Sequence, residues 1–418
     1  MINVAMISYH TCPLATLGGK DTGGMNVYVH QLTRHLGKLG IHVDVFTRSQ
    51  DEHVPHVLHD LGFCNRVVHI PAGPEFPLPK KELVRYIPKF VEGIQEFADK
   101  KNIRYDLIHS HYWMSGIAAI QLKEKWHVPI INMFHTLVLM KNRIAQSPSE
   151  VEGEYRLKGE KEVILKADRL IAATLAEKSQ LEFLYETPSK QIAVIPPGVD
   201  TSHFYPIPQE EAKEVIGVPS NNRLILFVGR IEPLKGIDTL IRAISIIQHS
   251  GELACCPHQI AIIGGEPNVR SEDMNAEMAR LQDMVESLKI ENFVMFLGKQ
   301  DQKFLPYYYS AAEVVVMPSH YESFGMVALE AMACGTPVVA SQVGGLAFLV
   351  QDGKTGFVIQ GNDPSLLADR LIQLIKNPEL QQQLSKNSEE YAKQYAWEVI
   401  STKILQVYEE ELSKNGKI

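Results

Sequence analysis

The sequence predicts an α/β protein with two tandem domains, each built around a parallel β-sheet. The chain has 418 residues, which exceeds the roughly 250 to 300 residues at which a single hydrophobic core stops growing. Its composition, 45% hydrophobic and 22% charged, is that of an ordinary globular protein. Short apolar runs alternate with helix-length segments, and this alternation begins afresh after a polar, proline-bearing stretch at residues 206–222. Strands that alternate with helices imply parallel pairing through crossover connections.

The first domain begins with a strand, a loop and a helix. An apolar run at residues 2–8 predicts the strand, and the glycine pairs 18–19 and 23–24 predict the loop. The periodicity of residues 26–39 predicts the helix, which Gly40 would cap. The remaining strands of this domain are predicted at residues 42–47, 66–70, 107–110, 129–134, 170–173 and 192–195.

The second domain repeats this pattern. Its strands are predicted at residues 224–228, 259–263, 293–297, 314–317, 337–340 and 356–359. We place the boundary so that the first domain is residues 1–205 and the second is residues 206–396. The C-terminal segment 397–418 contains a helical pattern, and the sequence leaves open whether it packs on the second domain or joins the first.

Charge and composition exclude several classes of function. The net charge is −8 and the basic residues are scattered, so a nucleic-acid-binding surface is not expected. The five cysteines form no C-x-x-C pair and no zinc-binding spacing. No export signal and no apolar run of about 20 residues is found, so we expect a soluble, cytoplasmic protein without a membrane span. The sequence leaves the oligomeric state open, and a homo-oligomer is compatible with it.

Two tandem α/β sheets predict a ligand crevice at the carboxyl ends of their strands. The first motif in such a position is Gly23-Gly24-Met25-Asn26, between the first strand and the first helix. Glycines at a helix start let the backbone approach an anion, which the free amides and the helix dipole favour. A tight turn without a ligand is the alternative. The pattern lacks G-x-G-x-x-G, so a nicotinamide site has little support.

The second motif follows the first strand of the second domain and reads Gly-Arg-Ile-Glu-Pro-Leu-Lys-Gly at residues 229–236. Arg230 and Lys235 can converge there on one diphosphate, with arginine as a fork and lysine as a point charge. The alternative is a pair of solvated surface cations. Their position just after a buried strand favours the binding role.

The third motif is Glu-Ser-Phe-Gly at residues 322–325, followed by Glu330. If a helix starts at Phe324 or Gly325, its amides point at an anion, and the carboxylates of Glu322 and Glu330 can accept hydrogen bonds from sugar hydroxyls. A surface helix can also carry two glutamates by chance. However, apolar residues follow Glu330, so its carboxylate is expected to have a hydrogen-bond partner.

Together these motifs resemble the retaining glycosyltransferases of family 4. The resemblance is carried by G-R-x-x-x-x-K-G, by E-S-F-G-x-x-x-x-E-A-M-A-x-G-x-P-V-V, by Pro-Pro-Gly-Val-Asp at 196–200 and by Val-Gly-Gly at 343–345. It covers nearly the whole chain. It implies the GT-B fold, in which two Rossmann-like domains face an interdomain cleft.

Motifs of the amino-terminal half resemble two groups within that family. They lie at residues 23–29, 79–83, 109–113 and 134–137. One group is the sucrose-phosphate synthases, which transfer glucose from UDP-glucose to fructose 6-phosphate, giving sucrose 6-phosphate and UDP. The other is the mycothiol-pathway transferases, which transfer N-acetylglucosamine from its UDP derivative to inositol 3-phosphate. Both acceptors carry a phosphate.

The resemblance implies a role for each site residue. Arg230 and Lys235 would hold the donor diphosphate, Glu330 the ribose and Glu322 the transferred hexose. His135 would contact the donor sugar, although a single histidine after a strand is more often structural. The other donor contacts would come from backbone groups at Gly24, Met295, Phe324, Gly325 and Met326. The acceptor and its phosphate would be held by Gly24, Met25, Asn26, Lys80, Tyr112, Thr136 and Arg156.

The resemblance also implies a mechanism in which the departing phosphate takes the acceptor proton on the same face of the sugar. The chain offers no obvious pair of carboxyl groups about 5 Å apart, as a retaining glycosidase would need. Catalysis would then come from orientation and from neutralisation of the departing UDP. Because no D-x-D triplet occurs, we expect no obligatory metal or other cofactor, with Mg²⁺ at most stimulatory.

We take sucrose-phosphate synthesis as the leading interpretation and the inositol-phosphate reaction as the alternative. A composition rich in lysine and isoleucine and the context of Pro79-Lys80 favour the former. The motifs Gly24-Met25-Asn26-Val27 and His135-Thr136-Leu137 fit both. A non-catalytic sugar-nucleotide sensor is a further alternative, which loss of the donor-site arginine, lysine or glutamates would favour, but all four are present. An epimerase with the same fold would carry other motifs.

Overall fold

The computed structural model describes residues 2–15, 23–145, 151–254, 256–266 and 276–416. The chain forms two compact units, Met1–Pro197 with Trp397–Ile418, and Gly198–Ala396. The second unit therefore begins at Gly198 rather than at the predicted residue 206. The physical reason is that residues 198–205 pack within it: the Val199 N–H donates to the Tyr395 carbonyl, and Phe204 lies against Tyr309.

The first unit contains an eight-stranded sheet in the described part of the chain. Its strands are β1 (Asn3–Ile7), β2 (His42–Arg48), β3 (Val57–Leu58), β4 (Arg66–Ile70), β5 (Leu107–His111), β6 (Ile130–Met133), β7 (Arg169–Ala172) and β8 (Ile192–Val194). Their order across the sheet is β3-β4-β2-β1-β5-β6-β7-β8. Within it, β3 pairs antiparallel with β4, and the other pairs are parallel. The two-residue strand β3 was not predicted, because so short a segment has no periodicity.

Helices cover the sheet of the first unit. They are α1 (Gly24–Lys38), α2 (Lys80–Leu83), α3 (Ile87–Lys101), α4 (Trp113–Trp126), α5 (Val138–Arg143), α6 (Glu154–Lys166) and α7 (Leu175–Leu184). The predicted cap Gly40 has φ of +80°, just beyond the end of α1. Of the predicted loop, the pair 18–19 lies outside the described residues. Apolar side chains from β1, β5, β6, α3 and α4 form the core of this unit.

The second unit has a six-stranded parallel sheet in its described part. The strands are β9 (Arg223–Val228), β10 (His258–Ile263), β11 (Val294–Gly298), β12 (Ala312–Met317), β13 (Val338–Ser341) and β14 (Gly356–Ile359), in the order β11-β10-β9-β12-β13-β14. The helices are α8 (Gln209–Ile216), α9 (Ile237–Ser250), α10 (Ala276–Ser287), α11 (Leu305–Ala311), α12 (Met326–Ala333), α13 (Leu346–Leu349), α14 (Pro364–Lys376) and α15 (Pro378–Ala392). The predicted two-domain α/β class with parallel sheets is confirmed.

The last helix, α16 (Trp397–Lys414), returns to the first unit and packs on α1. The Trp397 ring lies edge-on to Tyr28, with ring centroids 5.3 Å apart. The hydroxyl of Tyr408 is 2.7 Å from Nδ1 of His109. These contacts answer the question that the sequence left open, since the aromatic side chains of α16 complete the core of the first unit. Among the described helices, none combines the length and the apolar character that a membrane crossing requires.

Candidate active site

Four of the predicted acceptor residues come together at the carboxyl ends of β5 and β6. Tyr112 directly follows β5, Thr136 lies three residues after β6, Lys80 begins α2 and Arg156 lies in α6. The Arg156 guanidinium carbon is 5.0 Å from the centre of the Tyr112 ring, and the Lys80 ammonium is 5.9 Å from the same centre. Arg156 Nη2 also donates to the hydroxyl and to the carbonyl of Thr136, both at 3.0 Å.

Arg156 is buried and paired with two carboxylates. Its Nε donates to Glu160 at 2.9 Å and its Nη1 to Glu152 at 3.3 Å. Glu160 in turn accepts the Val138 N–H and the Tyr185 hydroxyl. Burial raises the pKa of Glu160, and the guanidinium of Arg156 and the Tyr185 hydroxyl oppose that shift. Arg156 is therefore fixed in place by its partners rather than being a mobile surface cation.

Sequence analysis missed Glu152 and Glu160. For Glu160 the signal was present, because it lies four residues after Arg156 on the same helix α6, the spacing at which residues on one helix face meet. Glu152 precedes the helix, so helical spacing could not have indicated it. Tyr112 has φ of +76°, which is rare for a residue with a side chain. Burial raises the pKa of Tyr112 to about 12, against the opposing effect of Arg156. Its hydroxyl is therefore protonated at neutral pH and can donate a hydrogen bond.

The predicted glycine motif lies at the start of α1. Gly24 is exposed, Met25 is half-buried and Asn26 is buried in the first turn. The Asn26 amide nitrogen donates to the Thr11 hydroxyl at 2.6 Å and to the Cys12 carbonyl at 2.7 Å. Its oxygen accepts the Gly23 N–H at 2.9 Å. The side chain of Asn26 thus holds the loop after β1 against the helix start, a role that the sequence did not predict.

His135 follows β6 in a left-handed conformation, with φ of +60°. It is half-buried, and its ring forms a T-shaped pair with Tyr28, with centroids 5.3 Å apart. Its Nε2 lies 3.0 Å from Nδ1 of His111. Burial lowers the pKa of His135 to about 3, so the imidazole is neutral at physiological pH.

In the second unit, the loop after β9 carries both predicted cations. Lys235 Nζ lies 2.5 Å from Glu322 Oε2, with the two side chains 17% and 18% exposed. Arg230 is 47% exposed and pairs with Glu232 at 2.8 Å. Gly236 ends this loop with φ of +62°, and a Cβ there would lie 2.0 Å from the Pro318 carbonyl oxygen. Only glycine therefore lets this loop pack against the loop after β12.

Glycines also shape the loop that carries Glu322. Gly325 has φ of +102° and immediately precedes α12, which begins at Met326. The helix thus starts one or two residues after the predicted positions Phe324 and Gly325. Gly345 donates its N–H to the Glu322 carbonyl at 2.8 Å, so the Val-Gly-Gly motif stabilises the backbone of the loop that carries Glu322.

Glu330 is buried on α12 and accepts a hydrogen bond from the Tyr309 hydroxyl at 2.8 Å. The expectation that this carboxylate has a partner is confirmed. Burial raises the pKa of Glu330 to about 7, and the Tyr309 bond partly opposes the shift. A carboxyl group that titrates near neutrality is a common feature of functional sites, although structural networks shift pKa values as well.

Met295 lies inside β11, three residues before its end at Gly298, and pairs with Ala261 of β10. The structure therefore does not bring Met295 to the carboxyl edge of the sheet. Two features of that edge were missed by sequence analysis. The Gly264 N–H bonds to the Gly298 carbonyl at 2.8 Å, and Asn362 donates to the Pro318 carbonyl at 2.9 Å. The Gly264-Gly265 pair that follows strand β10 could have indicated the contact between Gly264 and Gly298.

Within the described ranges, no group of three or more histidine, cysteine, aspartate or glutamate side chains is arranged to hold a metal ion. In each unit, cations, carboxylates, hydroxyls or glycine-rich loops thus lie near the carboxyl ends of the parallel strands. Each unit has its own cluster.

Two such α/β units are the architecture that the sequence predicted for a glycosyltransferase, and comparison with known proteins identifies the family. Residues 22–203 match the family described as Glycosyltransferase Family 4, and residues 208–391 match the family described as Glycosyl transferases group 1. A D-inositol 3-phosphate glycosyltransferase from Nocardiopsis dassonvillei is 38% identical over 406 residues, covering 97% of this chain and 94% of the relative. A second such enzyme, from Catenulispora acidiphila, is 39% identical over 411 residues, with 97% and 94% covered.

Solved structures agree with this assignment. A sucrose-phosphate synthase from Thermosynechococcus elongatus has a TM-score of 0.89 and 34% identity, covering 99% of this chain and 100% of that one. HepE from Anabaena, in complex with UDP and glucose, has a TM-score of 0.75 and 20% identity, covering 98% and 100%, which shows the shared fold. The chain belongs to glycosyltransferase family 4 and is a glycosyltransferase with the GT-B fold.

Proposed function

We propose that this enzyme transfers a hexose from a UDP-sugar, with retention of configuration, to a small acceptor that carries a phosphate. The observation that carries the proposal is the cluster in the first unit. Two cationic side chains, Lys80 and Arg156, flank one tyrosine ring at 5.9 and 5.0 Å. Cations grouped with hydroxyls in this way suit a dianionic phosphate.

The roles in this cluster follow from the contacts. Lys80 is half-exposed and supplies a charge that can reach a ligand. The hydroxyls of Tyr112 and Thr136 would donate to phosphate oxygens. Arg156 would add a further N–H while its other donors stay bonded to Glu152, Glu160 and Thr136. The first turn of α1, with Gly24 and Met25, would approach the acceptor through the backbone, and Asn26 would keep that turn in position.

The second unit would hold the donor. Arg230 and Lys235 would neutralise the diphosphate, and the amides of Phe324, Gly325 and Met326 at the start of α12 would complete an anion site. Glu322 would accept hydrogen bonds from the hexose and Glu330 from the ribose. His135 of the first unit would contact the hexose near the reacting carbon, and the backbone of β11 from Met295 to its carboxyl end at Gly298 would meet the uracil.

In the proposed reaction, the bond between the anomeric carbon and the diphosphate breaks as the acceptor hydroxyl attacks the same face. The departing phosphate oxygen takes the acceptor proton. The charge that develops on UDP would be stabilised by Arg230 and Lys235, which is where electrostatic catalysis acts. We propose that no metal ion is obligatory in this step.

UDP-glucose with fructose 6-phosphate is the leading substrate pair. It is supported by the sucrose-phosphate synthase structure, which overlaps 99% of this chain at a TM-score of 0.89. UDP-N-acetylglucosamine with D-inositol 3-phosphate is the second candidate. Its specific support is the 37% to 39% identity to D-inositol 3-phosphate glycosyltransferases over nearly the whole chain.

A UDP-release assay tests the proposal with both donors against fructose 6-phosphate, D-inositol 3-phosphate and the corresponding free acceptors. We expect one phosphorylated acceptor to be used far better than its free form, with turnover strongly reduced in Arg230→Ala. Arg242→Ala removes an exposed arginine of α9 and serves as the matched control. Equal use of free and phosphorylated acceptors would reject the phosphate site. Preference for the inositol pair would establish the second candidate.

A further inference from the structure

Three histidines lie together behind the carboxyl ends of β5 and β6. The rings of His109 and His111, two residues apart on β5, have centroids 4.3 Å apart. His111 Nδ1 is 3.0 Å from His135 Nε2, and His109 Nδ1 is 2.7 Å from the Tyr408 hydroxyl. Both His109 and His111 are fully buried. Neither has a part in the roles described so far.

We propose that His111 is a positioning residue for His135, donating its Nδ1–H to Nε2 of His135 and so fixing the proton of His135 on Nδ1. The inference rests on the proposed function, in which His135 contacts the transferred sugar. In this arrangement the Nδ1–H of His135 is a hydrogen-bond donor of fixed direction.

The rings of His111 and His135 are both neutral, so the hydrogen bond between them can form in two ways that differ in which ring carries the shared proton. Burial lowers the pKa of His111 well below its usual value and lowers that of His135 to about 3. A neutral imidazole carries one N–H and one acceptor nitrogen. Either His111 donates from Nδ1, or His135 donates from Nε2.

The surroundings of His111 favour the first choice. Its Nε2 is buried and has no hydrogen-bond partner in the described part of the chain. If His135 were the donor, this nitrogen would carry a buried N–H without an acceptor. If His111 is the donor, the same nitrogen carries only a lone pair, and unpaired acceptors are tolerated in protein interiors more often than unpaired N–H donors.

The backbone conformation of His135 also indicates that its side chain is held in a fixed position. Its φ of +60° is disfavoured for a residue with a side chain, and such conformations persist where the surroundings fix them, often at functional sites. The His111 hydrogen bond and the T-shaped contact with the Tyr28 ring both hold the imidazole in place. The tilted ring of His109 packs against His111, and the Tyr408 hydroxyl lies 2.7 Å from His109 Nδ1. Helix α16, which carries Tyr408, therefore supports the same arrangement.

The test uses the full chain and three variants. His111→Leu removes the donor, whereas His111→Asn retains an N–H at the same number of bonds from the backbone as Nδ1. Tyr408→Phe is the matched control, since it removes a hydroxyl from the same histidine cluster without removing either partner of the bond between His111 and His135. The tautomer is read by ¹⁵N NMR of histidine-labelled protein, and kcat and acceptor KM are read by UDP release.

We expect wild-type His135 to carry its proton on Nδ1. His111→Leu should lower kcat about tenfold or more, as loss of one oriented donor does, while acceptor KM changes little. His111→Asn should restore much of the lost turnover, and Tyr408→Phe should leave the His135 tautomer unchanged. A proton on Nε2 of His135 in the wild type would overturn the inference, as would equal kcat in wild type and a folded His111→Leu. Absence of any transfer activity would reject the proposed function alone, because the NMR result does not depend on turnover.

Discussion

Replacing Lys80 by alanine tests the acceptor-phosphate site with the least structural disturbance. Lys80 is the first residue of α2 and is half-exposed, and its ammonium is 5.9 Å from the centre of the Tyr112 ring. Arg156 is a poorer choice, because its removal would leave the fully buried Glu160 without its cation. The Lys80→Ala variant is therefore expected to fold normally and to report on ligand binding.

The size of the effect follows from the position of Lys80. A hydrogen bond to a charged group contributes about 1.5 to 3 kcal/mol. Solvent screening at a half-exposed position places Lys80 at the lower end of that range. Since 1.4 kcal/mol corresponds to a factor of ten, KM for the phosphorylated acceptor should rise about tenfold. The phosphate charge is the same before and during transfer, so kcat should change little.

The assay measures UDP release against increasing concentrations of the phosphorylated acceptor and of its free form. Lys81→Ala is the matched control, because Lys81 is the next residue on α2 and is exposed. The KM increase should appear with the phosphorylated acceptor only, and only in Lys80→Ala. The phosphate assignment is refuted if Lys80→Ala and Lys81→Ala behave alike, or if the free acceptor is affected to the same extent.

The remaining predictions concern stability, donor binding and the metal. Arg156→Ala should destabilise the protein by about 3 to 5 kcal/mol because Glu160 is left as an unpaired buried carboxylate, and adding Glu160→Gln should recover part of the loss in a urea titration; no recovery would contradict this account. Lys235→Ala should lower kcat about a hundredfold, with Arg242→Ala unchanged in the same assay. Transfer should persist in excess EDTA, and complete, reversible loss would reveal a required metal. Burial raises the pKa of Glu330 to about 7, so between pH 4.5 and 7 the folded protein keeps a proton on Glu330 that the unfolded chain has lost. The stability that this proton binding adds is fully present below pH 4.5 and is lost as the pH rises to 7. Glu330→Gln should therefore reduce the decline in the free energy of unfolding over this pH range by up to about 3 kcal/mol relative to wild type.

Much of the fold could be predicted because most strands are apolar runs bounded by polar residues, whereas the two-residue strand β3 is too short to show this pattern. The helical pattern predicted within 397–418 is confirmed as α16 (Trp397–Lys414), since Trp397, Ile400, Ile404 and Tyr408 are spaced as one buried face. Its attachment to the first unit could not be predicted, because a buried face does not specify the surface it covers. The domain boundary differs for a similar reason: the pairing of Val199 with Ala396 joins residues far apart in the chain.

The candidate site was predictable to the extent that its residues follow strands. Tyr112 and Thr136 come after neighbouring strands, so parallel pairing alone brings them to one edge. The partners of the charged groups were less accessible. The contact between Lys235 and Glu322 joins loops after β9 and β12, which are adjacent in the sheet although 87 residues separate the two side chains in the chain. Strand order, which a single sequence does not encode in any local pattern, decides such pairs.

The pairing of these charges also determines how the variants must be interpreted. Lys235 and Glu322 are assigned to different parts of the donor, yet their side chains form one ion pair that is more than four-fifths buried. Removing Lys235 therefore takes away a cation and also leaves the Glu322 charge without its partner. A double-mutant cycle with Lys235→Met and Glu322→Gln separates the two effects. If Lys235 acts on the diphosphate, the loss of kcat should persist in the Glu322→Gln background, whereas a role limited to holding Glu322 predicts that Lys235→Met has no further effect there.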